Sequence, residues 1–353
     1  MKTRFNGVIA TILVLAAATV AYGTDYYVDA NYGNDAWDGT TAVIPDAATI
    51  EAGGTIAGPR KTLHAMMCDA CVQPGDVVKA AEGDYNEGGD VYGTQLTTNR
   101  VQVKAGVTLL ATGSRAATFI TGSGGSYPDG YTNGAVRCVY FLAPPTDAAY
   151  SAGIVKGFTL RNGRTATTSE HGGASTGSGL LVECDFLQNG CKDANRGGTI
   201  NGGTALRCRF SSYNRGFIAY NTARIIDSLI VVAGAIYHNC SVYNCTFSGN
   251  GHLRNSTSYN CFFIGNGAGS ASQSINGSSK SKHYNTYSRT EFSLDNCTPD
   301  EACRVVTADE SPYDKTTFQP QFGSVLIDAG DMSYYAAATN GWMAAWLAEC
   351  GKD

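Results

Sequence analysis

The sequence predicts an all-β solenoid: a parallel β-helix closed at its N-terminal end by a short helix. Three observations predict it. One phrase is written twice, as "YNCTFSGNG" at 243–251 and "YNCFFIGNG" at 259–267. The same Cys-x-Phe, followed by Asn and Gly, recurs in "LVECDFLQNG" (181–190) and "LRCRFSSYNRG" (206–216). Finally, 43 glycines among 353 residues mark a turn-rich chain, while 43% hydrophobic content supports a sizeable core.

Lys2 and Arg4 precede the apolar run Val8–Ala21, and Ala21-Tyr22-Gly23 has the small-x-small form of a cleavage site. Residues 1–23 therefore read as a signal peptide, with Thr24 starting a secreted, extracellular or cell-surface chain. The run is short for a bilayer span, and no second one follows, so membrane insertion is not expected. Residues 24–75 read as the cap. In it, "TDYYVDANYGNDAWDGTTA" is an edge strand entering an Asn/Asp/Gly turn, and "GPRKTLHAMMCDACVQPGDVV" is a helix stopped by Pro74-Gly75. Such a helix would plug the open end of a solenoid.

Residues 76–330 read as coils. Strands such as "RVQVKA" and "VTLLAT" lead into repeats marked at 158, 184, 208, 227, 245, 261 and 285. The mean spacing is about 21 residues, which fits β-helix coils. Alternation turns Cys and Phe to one face. Asn189, Asn214, Asn250 and Asn266 are expected to form an amide ladder at one turn. Glu183 should pair with Arg207, and Asp185 with Arg209, across adjacent coils. "SVLIDAGD" (324–331) is the last strand, and 331–353 is a tail that reads as truncated. Its stretch "NGWMAAWLAEC" reads as a short helix or as apolar packing on the solenoid. All 12 cysteines lie in the mature chain, and Cys297 and Cys303 are the best local disulfide pair. Cys68 and Cys71 form a lone CxxC, too little for a zinc site.

"YYVDANYGNDAWDGT", "GPRKTLHAMM", "QPGDVVKAAEGDYNEG" and "SVLIDAGD" occur in an order that resembles exported bacterial right-handed β-helix proteins. These belong to the pectate-lyase-like superfamily. The first stretches resemble a DUF1565-like N-terminal region, and "IDAGD" resembles a choice-of-anchor element. The resemblance implies a right-handed solenoid and polysaccharide as partner. It also implies, for some members, lyase or epimerase action on uronic-acid polymers.

Net charge is −5, with only 16% of residues charged, so nothing marks a nucleic-acid partner. Residues 150–293 hold 13 basic and 6 acidic residues, an excess suited to an anionic glycan. Lys156, Arg161 and Arg224 are the substrate-binding candidates; the alternative is scattered solvated charge. Glu170 and His171 with Arg164 form the one grouping that suggests acid–base work. It lies in "GRTATTSEHGGASTG", which composition alone reads as a mobile loop. Asp29, Asn31, Asp35 and Asp38 resemble a degenerate calcium loop without the terminal Glu, and an Asx-turn network competes with that reading. No cofactor is required, Ca2+ is the candidate ion, and a monomer is expected. Two functions follow: binding or processing of an anionic, uronate-type polysaccharide, or a non-catalytic cell-surface or matrix protein. Whether it is an enzyme is left open by the sequence.

Overall fold

The computed structural model describes residues 23–124, 134–144, 152–192, 197–211, 217–231, 235–248, 251–263, 281–284, 287–288, 297–299, 301 and 303–305. Three long sheets run along a right-handed parallel β-helix. The first has eleven strands, from Asp25–Val28 to Cys297–Pro299. The second has ten, from Gly83–Tyr85 to Arg304–Val305, and the third has eight, from Asp90–Val91 to Gly251–Arg254. One coil visits all three: Thr204–Leu206, Arg209–Phe210, Phe217–Tyr220, then back to the first sheet at Arg224–Ile226. Among the described residues every strand pairing is parallel except that of Asp90–Val91 with Thr98–Val103.

The corner between the first and second sheets is made by one residue per coil in the left-handed region. Gly157, Glu183, Arg207, Asp227, Asn244 and Asn260 have φ of 81°, 52°, 51°, 49°, 50° and 51° respectively, in the left-handed region. Each kinks the chain sharply enough to join two strands of two or three residues. The next residue then turns inward. Those inward residues are Phe158, Cys184, Cys208, Ser228, Cys245 and Cys261, so Ser228 rather than Asp227 holds the repeat position. Asp227 belongs to the corner itself, where Asn244 Nδ2 donates to its carboxylate at 3.0 Å. Position 285 lies outside the described residues. Coil length falls from 24 residues between Cys184 and Cys208 to 16 between Cys245 and Cys261.

Inside, Val155, Leu181, Ala205, Ile225 and Val242 face Leu160, Phe186, Phe210, Ile230, Phe247 and Phe263 across the solenoid. Like stacks on like: the Phe186 and Phe210 rings lie 4.6 Å apart, and those of Phe247 and Phe263 4.3 Å. The buried thiols donate to carbonyls, as Cys208 Sγ does to Leu206 at 3.3 Å and Cys245 Sγ to Tyr243 at 3.1 Å. Burial pushes the Cys138 and Cys240 thiols up to about 12. These cysteines are small apolar filling, not reactive groups. The expected Cys297–Cys303 bridge involves Cys297, whose side chain lies outside the described residues. The outer face of the first sheet carries a second buried apolar cluster: Ile154, Leu180, Val182, Leu206 and Ile226.

Amide ladders stand at positions the sequence did not suggest. Asn244 and Asn260 bond to each other at 2.9 Å, one residue before the Cys rather than after the Phe. A parallel ladder, Asn201–Asn221 and Asn239–Asn255, lines the corner between the third and first sheets. Asn189 is buried and bonds to Gly163 N and Leu160 O. Asn214, Asn250 and Asn266 lie outside the described residues.

At the N-terminal end, Asp25–Val28 already pairs with Val77–Ala80. The solenoid thus begins at 25 rather than 76, and 29–76 is an excursion between neighbouring strands. The capping helix is only Leu63–Cys68; Thr62 Oγ1 caps it by accepting from Ala65 N, and Leu63, Met66 and Met67 are buried. It ends before Pro74 because Asp69 accepts from Cys71 N, an Asx turn that competes with the helix. A second six-residue helix, Ala47–Ala52, was not foreseen; Asp46 caps it.

Candidate functional site

An open groove of about 430 Å³ lies over the corner between the first and second sheets, lined by Leu110, Gly113, Arg115, Lys156, Glu183 and Arg207. Four consecutive coils supply it. Lys156 ends the strand Ile154–Lys156, while Glu183 and Arg207 occupy the left-handed corner position of the next two coils. Arg115 reaches in from the turn before the strand Thr118–Thr121. Glu183 is shared by two cations, Arg207 at 3.1 Å and Lys156 at 3.7 Å. Arg115 pairs with Asp185 at 3.4 Å. The Arg207–Glu183 pair expected from sequence is present. Asp185, however, takes Arg115 as its ion-pair partner, although Arg209 stands opposite it in the ladder. Burial raises the Asp185 carboxyl above its ordinary value, against the pull of Arg115 and Arg209. The lining thus holds three cations and one carboxylate, all partly open to solvent.

The three substrate-binding candidates do not converge. Lys156 is in this groove. Arg161 lies on the outer face of the second sheet, bound to Asp84 at 2.9 Å and to Thr121 Oγ1 at 2.9 Å, with its guanidinium 3.9 Å from the Phe119 ring centre. Arg224 is exposed beside a shallower groove of about 580 Å³ whose lining includes Thr222, Asn239 and Asn255.

Glu170, His171 and Arg164 sit at the corner between the second and third sheets, in a stretch that is packed rather than loose. Thr165, Ala166 and Ala174 are buried. The Glu170 carboxylate accepts from Leu96 N at 2.8 Å, and from Thr97 through both its amide and its hydroxyl. Burial alone would raise its pKa; the bonds from Thr97 and Leu96 outweigh it and hold the carboxyl below its ordinary value. Beneath, the fully buried Arg137 donates to Gly172 O at 2.7 Å, His171 O at 3.0 Å and Asn99 Oδ1 at 2.6 Å. Burial lowers its pKa to about 10, which leaves it a cation at neutral pH. The His171 ring meets Tyr220 edge-on at 5.3 Å, and Arg164 donates to the Gly163 and Gln188 carbonyls. Glu170 and Arg137 therefore act as clamps that tie the 92–99 and 163–174 segments together.

In the acidic turn, each group serves backbone of its own. Asp29 accepts from Asn31 N and Tyr32 N, Asp35 from Lys61 N and Thr62 N, and Asp38 from Thr40 N. Asn31 Nδ2 donates to Glu82 O. This is an Asx-turn network. Among the described residues no group of three His, Cys, Asp or Glu is placed to hold a metal ion.

Sequence reasoning missed Arg115, and it set Arg207 and Glu183 aside as structural. A signal was present: charged residues occupy a corner position that Asn holds in later coils. No helix among the described residues is long and apolar enough to cross a membrane.

No protein-family model and no curated protein matches this chain. Several solved structures are similar to it, among them the following two. One is a GH136 lacto-N-biosidase from Eubacterium ramulus, at 12% identity and TM-score 0.35, covering 75% of this chain and 56% of that one. The chain thus spans little more than half the length of that protein. The other is pectate lyase Pel9A, at 13% identity and TM-score 0.38, covering 89% of this chain and 93% of that one.

Proposed function

We propose that the protein binds a carboxylate-bearing polysaccharide, of uronate type, along the groove between the first and second sheets. One observation carries the reading: Arg115, Lys156 and Arg207 line that groove together, Lys156 and Arg207 sharing the Glu183 carboxylate and Arg115 pairing with Asp185. A polyanion that offers carboxylates along its length can exchange with Glu183 and Asp185 for these cations. Guanidinium groups suit this by forming paired bonds to carboxylate. The groove is open, as a chain-like ligand passing across coils requires. The chemistry within reach is β-elimination. A lysine in its neutral amine form would take the C5 proton beside the uronate carboxylate; the electron pair forms the C4=C5 double bond and breaks the C4–O glycosidic bond, and the departing oxygen takes a proton from water, while guanidinium neutralises the carboxylate.

The second reading is a non-catalytic spacer or adhesive protein of the cell surface or matrix. The engagement of Glu170 in backbone bonds favours it over hydrolysis, which needs two facing carboxylates.

Affinity electrophoresis in gels containing polygalacturonate, alginate or a neutral glucan tests the proposal, with and without calcium. Retention is expected in an anionic gel and should weaken with salt. Replacing Arg115, Lys156 and Arg207 together by Ala should abolish it without unfolding the protein. Absence of retention in every anionic gel, or full retention by the triple variant, would overturn the assignment. Ultraviolet absorbance from unsaturated product, followed in parallel, separates a lyase from a binder.

A further inference from the structure

Thr24 lies against a buried carboxylate, that of Asp76. Asp76 is 6% exposed. Its Oδ1 accepts from Thr24 N at 2.7 Å, and its Oδ2 from Gln73 N at 2.7 Å. In the uncut chain both donors are neutral amides, and among the described residues Asp76 has no ion pair. A buried carboxylate without a cation is costly. Thr24 is also where sheet pairing starts, since its carbonyl accepts from Val77 N at 3.0 Å. Residue 23 is pressed onto the turn beneath: a Cβ there would lie 1.7 Å from Gly75 O. The small-x-small stretch Ala21-Tyr22-Gly23 ends at this same residue.

We propose that a processing peptidase hydrolyses the Gly23–Thr24 bond and that Asp76 is the receptor for the α-ammonium of Thr24 so created. Water supplies the hydroxyl that completes the Gly23 carboxyl and the hydrogen that completes the Thr24 amine. At neutral pH the proton of that carboxyl is released and the amine takes one up. The nitrogen that donates to Asp76 as an amide then donates as a cation, which is the stronger bond. Cleavage also removes the residue crowded against Gly75. The mature chain is thereby more stable than its precursor at the first coil, where the solenoid has no preceding neighbour.

The test begins with the N-terminus of the exported protein, read by intact mass and sequencing; Thr24 is expected. Mature protein is then compared with an Nα-acetylated form and with Asp76→Asn by thermal melting from about pH 6 to about pH 10. An α-amino group titrates near 8 when free, and pairing with Asp76 raises that value in the folded state. The added stability is therefore complete below about pH 8 and disappears as pH rises through the higher, folded value. Near pH 7 the free amine should melt roughly 2–4 °C above the acetylated form. Asp76→Asn should erase that gap. Gly23→Ala, when exported, should yield the same mature chain and melt like wild type; as an uncut precursor it should melt below the uncut parent. An N-terminus other than Thr24, or equal melting of free and acetylated forms at every pH, would overturn the proposal. The acetylation arm needs no substitution, so it stands even if Asp76→Asn does not fold.

Discussion

The two halves of one corner solve the same backbone problem with different chemistry. In the later coils the left-handed position between the first and second sheets is held by Asn244 and Asn260, which bond to each other at 2.9 Å. In the earlier coils it is held by Glu183 and Arg207, with φ of 52° and 51°. Asn tolerates this conformation because its short amide bonds locally. Glu and Arg have no such compensation, and a strained residue of this kind merits a functional explanation. The amide half is built for stacking. The charged half accepts a worse backbone fit, and it is there that the cationic groove lies.

The largest effect should come from breaking the amide half. Asn244→Ala with Asn260→Ala leaves two left-handed alanines and no ladder. Denaturant unfolding should show a loss of about 2–4 kcal/mol. A loss no larger than an exposed alanine substitution elsewhere would mean that the ladder does not hold this corner.

Next comes a charged residue that behaves like the amides. Glu170→Gln weakens the bonds from Leu96 and Thr97, and should cost about 1.5–3 kcal/mol near neutral pH. Its folded pKa is depressed, so the advantage of the wild type is present above the unfolded value and is lost as pH falls through the folded one. Unchanged stability at pH 7 would return Glu170 to the list of free acid–base groups.

Glu183→Asn with Arg207→Asn converts the charged half into the amide kind. A gain of about 1 kcal/mol is expected from relief of backbone strain. Retention in anionic gels should weaken at least tenfold, or about 1.4 kcal/mol. Lost stability with retention intact would reverse the comparison.

How much of this was legible follows from the same contrast. The inward Cys and Phe columns could be read because alternation and stacking repeat one residue type coil after coil. The Glu183–Arg207 pair could be read from its 24-residue offset. The corner could not, because five residue types share it: Asp227 looked like a marker merely by standing one residue from Ser228. Arg115 escaped because the turn that carries it precedes the recognisable repeats. Glu170 and His171 looked like a site because the sequence does not show that Thr97, 73 residues away, meets that carboxylate.

The smallest effect tests where the groove's electrostatics depart from a structural ion pair. Burial raises the Asp185 carboxyl, and Arg115 at 3.4 Å and the neighbouring Arg209 do not fully offset it. For this group the protonated form is favoured by folding. Its contribution to stability is complete below the unfolded carboxylate value and is lost as pH rises through the folded one. Asp185→Asn should therefore leave stability unchanged in acid and raise it by a few tenths of a kcal/mol at pH 7, where a partly exposed pair contributes little. It should also free Arg115 and strengthen retention in anionic gels. If the substitution destabilises the protein at neutral pH, Asp185 and Arg115 hold the fold together, and the groove has one fewer cation to offer a ligand.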